Sequence, residues 1–322
     1  MNSETSQSVL HSAASQGLRA LAADERCRSA FTAPGSVLQD ILSPAARRYV
    51  LAAGRQEFLG HLAILHEKSY QVTVEFVGEE NSDPARIEQV VQEYLSVLDH
   101  SPVPGQLGFD LSNVGLTVSH DLAVRNTSRI VEAAAAKDCE VVLSMERSST
   151  VDAVLSVYRE LAERYGNVGI TLQAKLHRTE DDIRTAAQPG RKIRLVKGAF
   201  QESPDVALSH GPALDSRYLR FAEELVDRGV RLSLATQDSG VLAAAKSSGL
   251  LERVTEIEML HGVQPHLLRG YHEAGYPCRI YATYGENWWL HLLHRLAEHP
   301  PMVLTALADI ADRGERAVGT GY

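Results

Sequence analysis

Short β-rich runs alternate with longer amphipathic stretches from residue 71 onward. The runs begin near Val72, Gln106, Cys139, Val168, Lys192, Val230, Thr255 and Cys278. Their spacing of roughly 24 to 38 residues is what a strand, a loop and a crossover helix require. We therefore predict eight consecutive βα units.

The segments between the runs carry helix signals. Leu219, Ala222 and Leu225 form an apolar stripe that ends before Gly229 and the next strand. Eight βα units in about 230 residues match a (β/α)₈ barrel, whose chemistry lies at the C-terminal strand ends. A doubly wound open sheet is the alternative, because periodicity alone does not show whether a sheet closes.

Residues 1–70 show no strand pattern, and helices are predicted at Leu18–Arg28, Ser36–Leu51 and Gln56–Lys68. We expect an N-terminal helical segment over residues 1–70 and a catalytic barrel over residues 71–312. A helix at residues 287–298 should lie over the C-terminal strand ends. Residues 313–322 contain three glycines and no apolar period, and are predicted to form a flexible tail.

Composition narrows the cellular setting. With 322 residues, 44% of them hydrophobic, the chain can bury a large core, and charges interrupt every apolar stretch before it reaches membrane-spanning length. The start of the chain, Met1 to Gln7, is polar and lacks the apolar region of a secretory signal. These features predict a soluble cytoplasmic protein without an integral membrane segment.

The net charge of −9 argues against nucleic acid as a partner, because phosphate binding needs a basic face. The three cysteines lie far apart and form no CxxC pair, which suits a reducing compartment. No GxGxxG follows a strand, and neither GxxxxGK[ST] nor HExxH occurs. We therefore expect no Rossmann, P-loop or metal site.

Polar residues follow or interrupt the apolar strands at their C-terminal ends, where a barrel would bring them to one mouth. Arg194 is the clearest case, because a charge within a strand is costly to bury unless it is paired or binds a ligand. An ion pair with Glu146 or Glu258 and a ligand-binding role are both open for it. The set is Asp110, Ser144, Glu146, Gln173, Arg194, Lys197, Gln237, Asp238, His261, Tyr281 and Tyr284.

Several segments resemble the flavin-dependent proline dehydrogenase family, in order and with matching spacing over roughly residues 45–300. The most specific are RKIRLVKGAF (191–200) and RIYATYGENWWLHLLHRLAE (279–298). Further matches are ARRYVLAAGR (46–55), GITLQAKLHRTEDDI (169–183), LATQD (234–238) and EIEMLHGVQPHLLRGYHEAGY (256–276). The resemblance implies a distorted barrel that holds FAD noncovalently, with the last helix over the substrate.

The resemblance also assigns roles residue by residue. Tyr281 matches the tyrosine that shields the substrate, and Arg295 and Glu298 match the motif on the final helix. The positions that match the flavin side of the family's barrel mouth are Gln173, Arg194, Lys197, Gly198, Ala199, Thr236 and Gln237.

Departures from the family pattern fall mainly on the substrate side. Asp110 stands where the family has a lysine that pairs with the amino-acid carboxylate, and His294 replaces one arginine of a pair. The fixed charge at this clamp therefore falls from about +3 to near zero, and each lost charge-assisted bond is worth about 1.5–3 kcal/mol. The other departures are Ser144 for an aspartate, Phe200 for a tyrosine, Gln237 for a histidine and His291 for a tyrosine.

These departures predict an FAD-dependent dehydrogenase with a changed substrate, acting on a CH–NH or related bond of a small, cyclic amino acid, amine or hydrazine and forming an imine. Asp110 would bind a cationic nitrogen or act as a base, Arg295 would hold a carboxylate, and His291 or His294 would tune protonation near neutral pH. A specialised biosynthetic pathway is the expected setting. A genuine L-proline dehydrogenase with imidazolium His294, and a catalytically silent flavin-binding homologue, are alternatives. A quinone, oxygen or a soluble carrier could accept the electrons.

Overall fold

The computed structural model describes residues 3–78, 81–298, 300, 302–312 and 321–322. Its strands are β1 (Val50–Ala52), β2 (Gln71–Phe76), β3 (Gln106–Phe109), β4 (Glu140–Leu143), β5 (Val168–Gln173), β6 (Lys192–Val196), β7 (Arg231–Ala235), β8 (Glu256–Leu260) and β9 (Cys278–Tyr284). Its helices are α1 (Ser3–Ala23), α2 (Glu25–Thr32), α3 (Val37–Ala46), α4 (Arg55–Glu67), α5 (Pro84–Leu98), α6 (His120–Ala135), α7 (Val151–Arg164), α8 (Thr179–Ala186), α9 (Pro212–Asp227), α10 (Ser239–Ser247), α11 (Pro265–Glu273), α12 (Trp289–Glu298) and α13 (Met302–Asp312).

Strands β2 to β9 form a closed parallel barrel. Each pairs with the next in chain order, and β9 pairs with both β8 and β2. Tyr281 on β9 shows the closure, because it lies in register with Leu260 on one side and Thr73 on the other. The (β/α)₈ prediction is therefore confirmed, and the open sheet is excluded.

The N-terminal segment contains a strand that the sequence did not predict. Val50–Ala52 pairs in parallel with Thr283 and Tyr284 of β9, beyond the stretch of β9 that β8 covers. The prediction of no strand in residues 1–70 is wrong, because three residues are too few to show a period. The free edge at the end of β9 is what makes this segment a strand.

Side chains alternate across the barrel wall, as the pleat of a strand requires. In β6, Ile193 and Leu195 face outward into the main hydrophobic core between the strands and the helices. The core also includes Phe58 and Leu62 of α4, which lies within the segment predicted as N-terminal.

The inward positions of the barrel are largely polar. Below the mouth, the Lys192 ammonium lies 2.5 Å from Glu256 Oε1, and Arg279 Nε lies 2.8 Å from the same oxygen. These three side chains are almost completely buried. Part of the barrel interior is therefore held by charges rather than by branched apolar side chains.

A second hydrophobic cluster joins the N-terminal helices to α12 and α13. Phe31 of α2 packs against Trp288 and Trp289, with ring centroids 4.5 and 5.3 Å apart. Ser15 of α1 donates a hydrogen bond to the carbonyl of Ala297 at the end of α12. The first helices therefore clamp α12 over the mouth of the barrel.

Most of the predicted tail, residues 313–320, lies outside the described residues. Tyr322 packs against the barrel: its ring centroid lies 5.6 Å from that of Tyr70, and its hydroxyl accepts a hydrogen bond from the Gly262 amide. This last residue is therefore held, which differs from a flexible tail. No helix in the described ranges is both long and apolar enough to cross a membrane.

Candidate active site

The C-terminal ends of the barrel strands open into a cavity of about 1010 Å³. Small-molecule and cofactor pockets typically measure about 300–1,000 Å³, so this one has room for a large ligand. The side chain of Glu298 lies outside the described part of the structure. The other residues to which the family resemblance assigned a place in the site all line the cavity: Asp110, Ser144, Gln173, Arg194, Lys197, Gly198, Ala199, Phe200, Thr236, Gln237, Tyr281, His291, His294 and Arg295.

Arg194 forms one of the two ion pairs that the sequence left open, and its ligand-binding role stays a prediction. Its guanidinium pairs with Glu258 on β8, and it also lines the cavity. Its Cζ lies 4.4 Å from the centroid of the Tyr281 ring, a cation–π geometry. The ion pair and the ring hold the guanidinium in one place against the cavity.

Another part of the wall is acidic and carries the hydroxyl groups of Ser144 and Tyr281. Asp110, at the end of β3, forms a hydrogen bond with Ser144, which follows β4. The Tyr281 hydroxyl forms hydrogen bonds with Ser144 and with Glu75 on β2. Glu146 lies close enough to repel Asp110, and its Oε1 accepts a hydrogen bond from the Ser112 amide.

Burial and like charges disfavour ionisation on this wall. Burial, followed by repulsion from Glu146 and Glu75, raises the pKa of Asp110 well above its usual value. Burial also raises the pKa of Glu75 to about 6, although the Tyr281 hydroxyl and the cations Arg194 and Arg295 oppose that shift. The neutral form of Asp110 is therefore favoured far more than in an exposed aspartate, and a cation placed beside it would favour loss of its proton.

The two histidines on α12 do not titrate near neutral pH. Burial, reinforced by Arg295, lowers the pKa of His291 to about 3 and that of His294 to about 4. The prediction that they tune protonation near pH 7 is wrong, because they lie in the covered mouth beside a guanidinium. Nor does His294 supply the second cation that a proline carboxylate clamp would need.

Some residues that the sequence placed near the site lie elsewhere. Trp288 and Trp289, in the helix that the sequence places over the strand ends, pack on Phe31 and do not line the cavity. The Tyr284 ring stacks on Phe58, with centroids 4.4 Å apart, and its hydroxyl donates to Glu93. His261 packs against Tyr322, with ring centroids 5.7 Å apart. These aromatic groups support the mouth rather than line it.

Gln173 and Gly198 are neighbours in the part of the cavity wall that the resemblance assigns to the flavin. Gln173 Nε2 donates to the Glu146 carbonyl at 2.6 Å, whereas its buried Oε1 has no partner among the described residues. Gly198 has a φ of 112°, and a Cβ there would lie 2.8 Å from that oxygen and 2.5 Å from Lys175 Cδ. A side chain at residue 198 would therefore fill the space beside the unpartnered acceptor.

Comparison with known proteins identifies the family. The family model described as "Proline dehydrogenase" matches residues 58–298. The chain belongs to the proline dehydrogenase family. It is 27% identical over 272 residues to proline dehydrogenase 1 of Bacillus subtilis (strain 168), covering 82% of this chain and 90% of that protein. It is 26% identical over 267 residues to proline dehydrogenase of Deinococcus radiodurans, covering 79% and 86%.

A solved structure with a similar fold is proline utilization A from Bdellovibrio bacteriovorus, inactivated by N-propargylglycine. The TM-score is 0.71 and the identity 19%, covering 87% of this chain. This chain spans about a third of that protein, 35% of its length. The likeness supports the barrel fold.

Proline dehydrogenases are FAD-binding oxidoreductases, and this cavity fits FAD. The isoalloxazine ring carries an N–H, for which Gln173 Oε1 is a buried acceptor, and two carbonyls, for which the Thr171 hydroxyl is a buried donor. Neither oxygen has a hydrogen-bond partner within the described part of the chain. Arg194 would supply the fixed cation that stabilises negative charge on a reduced flavin. The loop at residues 197–199 would let backbone approach the cofactor, because Gly198 has no side chain.

Lys197 is less available than the resemblance implies. Its ammonium pairs with Asp215 and lies 2.7 Å from Asp238 Oδ2, so two carboxylates already compensate its charge. These two ion pairs connect the loop after β6 to Asp215 on α9 and to Asp238, the N-cap residue of α10. Direct binding of the pyrophosphate would require one of these pairs to open.

Sequence reasoning missed several groups on the cavity wall, among them Glu75 and Arg19. Glu75 interrupts the apolar run VTVEFV as Arg194 interrupts its own strand, so the same signal could have found it. Arg19 reaches the wall from α1, where its guanidinium donates to the Ala199 carbonyl. No pattern in the sequence indicated that contact, because it depends on how α1 packs over the barrel.

Proposed function

We propose that this member of the family is an FAD-dependent dehydrogenase that oxidises a CH–NH or related bond of a small cyclic amino acid, amine or hydrazine other than free L-proline. The observation that carries the proposal is Asp110. This carboxyl lies on the cavity wall beside Glu75 and Glu146, at the position where the resemblance places a carboxylate-binding lysine.

In this proposal the acidic residues of the wall bind the nitrogen of the donor, and the basic residue on α12 binds its carboxylate. Asp110 and its partner Ser144 bind the nitrogen of the donor, and Asp110 accepts a proton from it once ionised. Tyr281 covers the donor with its ring and stays fixed by the Arg194 contact. Arg295 is the cation on α12 that faces a donor carboxylate. FAD supplies the hydride acceptor.

Charge complementarity disfavours free proline as the donor. Its carboxylate would meet a wall with three acids, and His294, with a pKa of about 4, adds no positive charge at pH 7. A donor with a net positive charge matches this wall better. Its oxidation would give an imine outside proline catabolism, as in a specialised biosynthetic pathway.

L-proline oxidation to pyrroline-5-carboxylate is the second candidate. It is favoured by Arg194, Tyr281 and Arg295, which all line the cavity. The curated relatives also carry the name proline dehydrogenase. A catalytically silent homologue that binds flavin is the third outcome of the test below.

A visible spectrum and an anaerobic donor screen separate these functions. The purified protein should show flavin bands, and their absence even after incubation with FAD would contradict the proposal. L-proline, D-proline, 4-hydroxyproline, pyrrolidine, piperazic acid and pyrazolidine are then added without oxygen. We expect an amine or hydrazine donor to bleach the flavin faster than L-proline does. Bleaching by L-proline alone favours the second candidate, and no bleaching by any donor favours the silent homologue.

A further inference from the structure

Glu75 and Asp110 lie on neighbouring strands, and the residue between them on the wall has no side chain. Strands β2 and β3 pair in register at Val74 and Leu107, which places Glu75 beside Gly108. A Cβ at Gly108 would come within 2.7 Å of the Tyr281 hydroxyl oxygen. The tyrosine hydroxyl therefore occupies the gap between the two acids.

The hydroxyl groups of Tyr281 and Ser144 connect these acids. Tyr281 forms a hydrogen bond with Glu75, Ser144 forms one with Asp110, and the two hydroxyls contact each other. Each carboxyl therefore has one hydroxyl group beside it. Both carboxyls line the cavity.

The surrounding charges leave this pair under-compensated. Arg194 is already paired with Glu258. Two carboxylates close together in a partly dehydrated wall do not both ionise readily, so one retains its proton. The titratable and charged groups that face the pair are Glu146 after β4, Arg194 on β6, Glu258 on β8, Tyr281 on β9, and His291, His294 and Arg295 on α12.

We propose that Glu75 and Asp110 share one proton in the free enzyme and release it when the donor binds as a monocation, each carboxylate then accepting one N–H of the same nitrogen. The fitting donor class is a cyclic secondary ammonium or hydrazinium ion. This inference rests on the proposed function and deepens it by fixing the protonation state and the number of N–H groups of the donor.

The two carboxylates can also accept the N–H proton that the donor ammonium must lose before it is oxidised. The bound ammonium gives one N–H proton to a carboxylate and becomes a neutral amine with a lone pair. With FAD bound as the hydride acceptor, the adjacent carbon would lose a hydride, and the nitrogen lone pair would form a C=N bond that keeps the remaining N–H. Charge balances, because the monocation loses a proton and then a hydride to give a cationic iminium.

The test measures proton release with pyrrolidine as the probe. Holoenzyme reduced with dithionite cannot accept another hydride, so pyrrolidine binds without being oxidised. Calorimetry at pH 7 in phosphate and in Tris gives the number of protons released from the difference in buffer ionisation heat. We expect about one proton per site for the wild type and a small fraction of that for Asp110→Asn, because Glu75 alone, with a pKa of about 6, is mostly ionised at pH 7. Glu75→Gln should release fewer protons than the wild type, because it removes one of the like charges that raise the pKa of Asp110.

Matched probes and variants make the result decisive. Glu75→Asp should retain proton release, and Glu88→Gln, which alters a surface pair with Arg129, should behave as the wild type. N-methylpyrrolidine, with one N–H, should bind at least about tenfold more weakly than pyrrolidine.

Three results would overturn the inference: no binding of pyrrolidine to the wild type, binding without proton release, or unchanged release in Glu75→Gln. Each can occur while an amine donor still bleaches the oxidised enzyme, which would leave the proposed function standing. Bleaching by L-proline alone would reject the proposed function whatever the proton count.

Discussion

The Tyr281 hydroxyl fills the space that a side chain at Gly108 would need, since a Cβ there would lie 2.7 Å from its oxygen. Gly108→Ala should therefore push the ring away from Glu75 and the donor. We expect kcat/KM for the donor identified by the spectral screen to fall by tenfold or more, and stability to fall by about 1–3 kcal/mol. Steady-state kinetics and denaturant unfolding measure the two effects.

Gly166→Ala is the matched control for that substitution. No atom lies within 4 Å of a Cβ at residue 166, so the change should leave kinetics and stability nearly unaltered. Equal kinetics for Gly108→Ala and wild type would show that the position of Tyr281 does not matter for turnover.

Asp110→Lys tests the charge argument for the donor. The new ammonium would lie beside Glu75 and Glu146 and restore a cation for a donor carboxylate. We expect faster anaerobic bleaching by L-proline, by at least about tenfold, and loss of bleaching by the cationic donor. Asp110→Asn, which removes charge without adding a cation, should lose the cationic donor but gain no proline oxidation. An Asp110→Lys enzyme with wild-type donor preference would refute the role of this residue.

Gly198→Ala should impair flavin binding. The added Cβ would meet Lys175 and the unpartnered Gln173 Oε1, and residue 198 has a φ of 112°. Gly190 also has a positive φ, 76°, but open space around its Cβ position, so Gly190→Ala carries the conformational cost alone. The flavin-to-protein absorbance ratio should fall severalfold for Gly198→Ala and hold for Gly190→Ala. A full flavin content in both would argue against this loop as part of the FAD site.

The buried ion pairs of Glu256 with Lys192 and Arg279 should make the free energy of unfolding depend on pH in the acidic range. Burial acts to raise the pKa of Glu256, but Arg279 and Lys192 outweigh it and hold that pKa at about 2. Because the pKa of Glu256 is lower in the folded protein than in the unfolded chain, the ionised carboxylate stabilises the fold at pH values above about 4.5. This stabilisation is lost as the pH falls from about 4.5 to about 2. Glu256→Gln should cost about 3–5 kcal/mol at pH 7, because it leaves buried cations uncompensated.

Denaturant unfolding at pH 7 and pH 3 checks this expectation. Glu180→Gln, in an exposed pair with Arg184, is the control and should change stability by less than about 1 kcal/mol. The difference between Glu256→Gln and wild type should shrink at pH 3. A constant difference would mean that Glu256 acts through packing alone.

The pH dependence of kcat/KM should reflect ionisation of the carboxyl groups on the cavity wall and not of the histidines on α12. Glu75, with a pKa of about 6, must lose its proton for the pair to accept one from the donor, so kcat/KM should rise with pH through that region. Glu75→Gln should move this limb, whereas His294→Gln should not, because His294 is already neutral above about pH 4. A limb near pH 6 that disappears in His294→Gln would reverse the assignment.

Local patterns determined much of the barrel and its mouth. The alternation of Ile193, Arg194 and Leu195 sets one face toward the helices and one toward the interior, whatever the rest of the chain does. Parallel strands joined by helices bring their C-terminal ends together, so polar residues such as Asp110 and Gln173 could be assigned to one mouth. Motif spacing then indicated the family.

Closure of the barrel and the state of its charges were decided only by tertiary structure. Val50–Ala52 becomes a strand because β9 offers it an edge. The His294 pKa falls mainly because the imidazole is buried in the covered mouth, where Arg19 of α1 and Arg147 after β4 also lie near it. Whether Arg194 meets Glu258, and Glu75 stands next to Asp110, depends on which strands become neighbours. Pairing, burial and pKa arise from distances between residues remote in sequence, and those distances exist only once the barrel has closed.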